Sequence, residues 1–183
     1  MFLRTTLVLT VICLINGCVL INVDPKRSLA NGRTLAIMNL SIDYDRNTAP
    51  NLYIYREGAN GSRKISIDEP KQQLVTILEP GKYCFKGISA SSHHLSFYNY
   101  KDWCFLVEPK KVNYIGDIEI VMHWDKRPYL DSIEISDSFS SVKSRFRQDN
   151  PTISENLIVN QYQKKPRQLA VDYYPPDPEI IFY

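Results

Sequence analysis

Apolar and polar residues alternate along most of the chain from residue 33 to residue 136, with the period of two that sends successive side chains to opposite faces of a strand. In the first such run Ala36, Met38, Leu40, Ile42 and Tyr44 share one face, while Asn39, Ser41 and Asp43 share the other. That is the signature of a half-buried strand. Runs of the same kind follow at Leu52–Glu57, Lys64–Asp68, Gln73–Leu78, Tyr83–Ile88, His94–Tyr100, Trp103–Glu108, Val112–Val121 and Tyr129–Ser136. Turn signals separate them: Asn60-Gly61, Pro80-Gly81, Ser89–Ser92, Lys101-Asp102 and Pro109-Lys110. Short strands at regular spacing predict a mainly β fold, an antiparallel β-sandwich of about 7–9 strands, with a small barrel as the alternative.

After Ser136 the period lengthens. Asp137 or Ser138 caps a predicted helix that places Phe139, Val142 and Phe146 on one face and Lys143, Arg145 and Arg147 outward, until Asp149-Asn150-Pro151 stops it. This C-terminal amphipathic helix is expected to pack on the sheet, with contact to a membrane surface as the lesser reading. Ser154–Gln163 suits a second short helix or a strand, and 166–183, with four prolines among aromatics, reads as an extended tail draped on the domain or offered to a partner. The expected organisation is a leader over 1–17, a tether over 18–32, a β domain over 33–135, a helical extension over 136–165 and the tail.

The leader changes where the domain is expected to live. Arg4 precedes an apolar run from Leu7 to Ile15, too short for a spanning helix, which needs about 20 apolar residues, and suited to an export signal. It ends in Ile15-Asn16-Gly17-Cys18, which resembles the lipobox of bacterial lipoproteins. The resemblance implies cleavage before Cys18 and acylation of its thiol and amine, as palmitate-type chains. Each buried methylene stabilises membrane attachment by about 0.8 kcal/mol, and two or three chains make it nearly permanent. Val19 stands where an Asp would resemble an inner-membrane retention signal, so the outer membrane is favoured, facing the periplasm or the surface. Ordinary secretion would prefer a small residue in place of Ile15. The acceptor-like triplets at Asn39 and Asn60 would suit a eukaryotic secreted chain, but such triplets also arise by chance.

Charge and motifs then narrow the chemistry. A formal net charge of +2 without a dense basic stripe argues against a nucleic-acid partner. Cys84 and Cys104 are the cysteines outside the N-terminal segment, and in an oxidising compartment they are expected to form a disulfide in preference to a metal site or a reactive thiol. His93 and His94 are adjacent, so a strand would point them apart, and they read as loop residues rather than metal ligands. The chain has no Gly-x-Ser-x-Gly, glycine-rich phosphate loop or zinc-helix motif, so neither catalytic residues nor a cofactor nor a metal is expected. Aromatic residues supply the binding expectation. Tyr53 and Tyr55 share one strand face, and Phe97, Tyr98, Tyr100 and Trp103 crowd one hairpin, where they would stack a sugar or receive a peptide edge; plain sheet packing is the competing reading.

The segments Leu78-Glu-Pro-Gly-Lys-Tyr83 and Phe105-Leu-Val-Glu-Pro-Lys-Lys-Val-Asn-Tyr-Ile-Gly-Asp117 resemble those of small bacterial lipoproteins of unknown function, the DUF2846-like proteins, which are similar to PEGA-type carbohydrate-surface modules. The resemblance covers residues 33 to 135, implies a β-sandwich and carries over no catalytic residue. Together these readings predict a non-catalytic, lipid-anchored envelope protein that binds an envelope protein or glycan, with a periplasmic enzyme acting on cell-wall material as the alternative.

Overall fold

The computed structural model describes residues 23–44, 50–90, 93–123, 129–165 and 171–174. Its strands form two sheets. The first holds β1 (Leu35–Tyr44), β4 (Lys71–Ile77), β8 (Val112–His123), β9 (Tyr129–Ser136) and β10 (Ile158–Asn160). The second holds β2 (Asn51–Arg56), β3 (Ser62–Ser66), β5 (Gly81–Ala90), β6 (His93–Phe97), β7 (Cys104–Val107) and β11 (Val171–Tyr174). Alternation accounts for the join between them. Met38, Leu40, Ile118 and Ile120 from the first sheet meet Leu52, Ile54, Phe85 and Phe105 from the second in one buried cluster.

The expectation of purely antiparallel pairing is corrected for the first sheet, which is mixed. β1 runs antiparallel to β4 but parallel to β8, and β10 is also parallel to β8. A parallel pair needs a long crossover, and here the strands β2, β3, β5, β6 and β7 of the other sheet supply part of it. The strand number also exceeds the expected range, because β10 and β11 come from segments too short to show alternation.

β1 is also more deeply buried than a half-buried strand. Leu35 and Ile37, on the face away from the main core, are 0% exposed. They pack with Val112 and Tyr114 beneath α2 (Phe139–Asp149), whose Val142 and Phe146 fill the second cluster as the helical period required. The N-cap of α2 is Ser138, and the residue before it, Asp137, accepts the first helical N–H, from Phe139, on its Oδ1 at 2.9 Å. On the outward side Lys143 and Arg147 both pair with Glu155, at 2.7 and 2.8 Å, and these contacts hold the Glu155 carboxyl below the ordinary range, Lys143 first.

Three further segments join the fold. The expected tether contains a six-residue helix, α1 (Pro25–Ala30), capped by Asp24, with Val23 and Leu29 packed against the second cluster. Within Ser154–Gln163 a 3-10 turn over Glu155–Leu157 leads into β10. From the tail, Val171–Tyr174 joins the second sheet beside β6. Cys84 and Cys104 lie directly opposite each other on β5 and β7 and form the expected disulfide. A crosslink closing about 20 residues stabilises by roughly 3 kcal/mol in the chain-entropy account. Among the described residues no helix is long and apolar enough to cross a membrane.

Candidate functional site

The outer face of the second sheet gathers the aromatic residues that alternation sends away from the core. Leu52 and Ile54 of β2 point inward, so Tyr53 and Tyr55 must point outward. Across the ladder Tyr53 stands opposite Lys64 of β3 and Gly87 of β5, and Tyr55 opposite Ser62 and Cys84. A register shift between Tyr53 and Ile54 leaves Lys86 as an extra residue in β5. Its Nζ is 5.7 Å from the centroid of the Tyr55 ring, within the range of a cation–π contact.

Two edge-on ring pairs result. Tyr53 meets His94 at 5.3 Å between centroids with planes at 75°, and Tyr55 meets Tyr100 at 6.4 Å and 81°. Ser89 Oγ donates to the Tyr53 hydroxyl at 3.2 Å and fixes that ring further. Gly87 makes room for the first pair: a Cβ there would lie 2.5 Å from the Leu95 carbonyl oxygen and 3.1 Å from His94 Nε2. Burial, and then the Lys86 charge, push the His94 imidazole below its ordinary value, so it stays neutral at neutral pH.

Charge is segregated between the two sheets. β2, β3, β5, β6 and β7 contain no aspartate or glutamate, yet carry Arg56, Arg63, Lys64, Lys82 and Lys86. Edge strand β11 adds Asp172, and Glu57, just past β2, pairs with Lys82 at 3.4 Å. In the first sheet Asp43, Asp117, Glu119, Asp131 and Glu134 stand against Lys71 alone.

That first sheet has its own polar groove, a cavity of about 480 Å³ beside α2. Its floor is two rows in register across β9, β8, β1 and β4: Glu134, Glu119, Ser41 and Lys71, then Ser136, Asp117, Asn39 and Gln73. Asp117 is fully engaged. Its Oδ1 accepts from Asn39 Nδ2 at 2.6 Å and from the Tyr114 hydroxyl at 2.9 Å, and its Oδ2 accepts from Ser138 Oγ at 2.5 Å. Burial first, with the Asp117 charge acting the same way, pushes the Tyr114 hydroxyl up to about 12, so it remains a donor. This network ties the start of α2 to β8, which is a structural role.

Among the residues singled out from the sequence, Tyr100 does join Tyr55 on the aromatic face, and Tyr98 is 57% exposed in the turn after β6. Trp103 is corrected. At 1% exposure it belongs to the core, because the 3-10 turn over Tyr100–Asp102 resets the alternation before β7 begins. His93 and His94 are corrected as well, since they open β6 and do not lie in a loop. Cys18 lies outside the described residues. As partners of the tyrosines, His94 and Lys86 leave no sequence signal: the first reads as loop, and a bulge leaves no mark in the hydrophobic pattern. Among the described residues, no group of three or more His, Cys, Asp or Glu is placed to hold a metal ion. No family model, no curated protein and no solved structure matches this chain.

Proposed function

We propose that this chain is a non-catalytic, lipid-anchored protein of the bacterial cell envelope, attached through Cys18, whose two-sheet body binds an envelope glycan or protein through the outer face of the second sheet. The observation that carries this reading is the paired rings of Tyr53 with His94 and of Tyr55 with Tyr100 on a face whose core strands lack carboxylates. Tyrosine suits such a surface because its ring offers a large rigid contact area and its hydroxyl a hydrogen bond. The resemblance of the leader to a lipobox supports the anchor, and the expected palmitate-type chains place the body at a membrane, with the outer membrane favoured.

The alternative, an enzyme acting on cell-wall material, has its foothold in the groove of the first sheet. It is the weaker reading, because the central carboxylate there already accepts three hydrogen bonds and holds a helix in place.

Two readouts on protein extracted from a bacterial host test the proposal. The intact mass is expected to begin at Cys18 with acyl groups; an unlipidated mass removes the anchor. Sedimentation with isolated envelope fragments is expected to fall about tenfold for Tyr53→Ala/Tyr55→Ala, as for loss of two interface aromatics. Retention unchanged in that variant, or turnover of the fragments lost in Glu119→Gln, would move the function to the groove.

A further inference from the structure

We infer that the ligand of the aromatic face is an anionic polysaccharide, its sugar rings stacked on Tyr53 and Tyr55 and its acidic groups met by Lys64 and Lys86. This rests on the proposed binding face and adds the ligand's chemical class.

Repetition is the first argument. Tyr53 and Tyr55 are two residues apart on one strand, which separates their rings by about 7 Å along β2. Each has its own lysine: Lys64 stands directly across from Tyr53 on β3, and Lys86 lies 5.7 Å from the Tyr55 ring. Two rings spaced along β2 therefore share one face with a cation on each flank, Lys64 from β3 and Lys86 from β5, and a polymer of acidic sugars offers the matching rings and anions. The apolar C–H face of a sugar suits the electron-rich face of tyrosine. Ser62, beside Tyr55, and Ser89, bonded to Tyr53, add hydroxyls for its hydroxyl groups.

Charge complementarity is the second argument. No carboxylate in β2, β3, β5, β6 or β7 competes for the lysines, and the neutral His94 leaves them as the source of positive charge beside the rings. A neutral glycan would use the rings and leave both cations idle. The carboxylates on the strands of the first sheet disfavour a polyanion on that side, where Lys71 and Arg145 are the cations lining the groove.

The experiment titrates the full mature chain, in detergent, with three probes: oligogalacturonate, neutral dextran and polyaspartate. Oligogalacturonate is expected to bind best and to weaken as salt rises. Lys64→Gln/Lys86→Gln is expected to weaken it about tenfold, and Lys71→Gln, on the other sheet, to leave it unchanged. Tyr53→Ala/Tyr55→Ala is expected to lose it in a protein that still unfolds cooperatively, with a midpoint lowered only by the two lost ring pairs. Dextran bound as tightly as oligogalacturonate would overturn the anionic assignment, and polyaspartate bound as tightly would overturn the glycan assignment in favour of an acidic protein. Failure of oligogalacturonate to bind, with envelope fragments still retained through Tyr53 and Tyr55, sinks this inference and leaves the binding face standing. If the fragments are not retained either, both fall.

Discussion

Replacing Trp103 by alanine is expected to cost about 3–5 kcal/mol of folding stability, the usual range for removing a large aromatic from a packed core. Its ring is 1% exposed, and its backbone is held on both sides, with its N–H donating to the Tyr100 carbonyl at 2.9 Å and its carbonyl accepting from Phe85 N–H at 3.0 Å. The indole Nε1 is buried without a hydrogen-bond partner, so the site uses the ring's volume and not its polar atom. Trp103→Phe should therefore cost far less than the alanine change, since it keeps most of the volume and relieves the buried donor. Tyr98→Ala, at an exposed position, should stay within about 0.5 kcal/mol of the parent. Urea unfolding of the three variants decides the matter. A Trp103→Ala protein with the parent's midpoint but no envelope binding would return Trp103 to the surface site.

Gly116→Ala is expected to be the second severe change, at about 3 kcal/mol from backbone strain and overpacking together. Gly116 follows the point where β8 slips by one residue against β1, so that Tyr114 faces the cluster under α2 while Ile115 faces the main core. The slip is built on a φ of +144° that side-chain-bearing residues rarely adopt. Added bulk has nowhere to go either, since a Cβ would come within 2.7 Å of Ile135 Cγ2 and 3.4 Å of the Ser136 carbonyl oxygen. β9 would be pushed from β8, and the Tyr114–Asp117–Ser138 network would shift with it. Thermal unfolding by circular dichroism should show the loss. A Gly116→Ala protein as stable as the parent would mean that the slip lies elsewhere in β8.

These two residues show what the residue pattern carries and what it omits. Alternation placed the strand runs from β1 to β9, because a buried face imposes period two whatever the pairing. For the same reason it was silent on direction, and the parallel contact of β1 with β8 left no mark on it. Leu35 and Ile37 break the simple in-and-out reading of β1, since a helix more than 100 residues away in sequence covers the second face. Tyr53 and Tyr55 were legible as a pair on one face because their strand is uninterrupted. Trp103 was misread because its hairpin contains a 3-10 turn, and counting across a turn loses the face. Lys86 and His94 reach the site through a bulge and a long-range strand pairing, neither of which is a local property of the chain.

The claim that the second sheet's outer face is the binding surface is tested most directly by lysine footprinting. The mature protein is acetylated alone and with envelope fragments, and each lysine's modification is read by mass spectrometry. Lys64 and Lys86 are expected to be protected by the fragments, while Lys71, beside the groove of the first sheet, stays as reactive as before. Protection of Lys71 with Lys64 and Lys86 unchanged would place the partner on the opposite sheet and contradict the account.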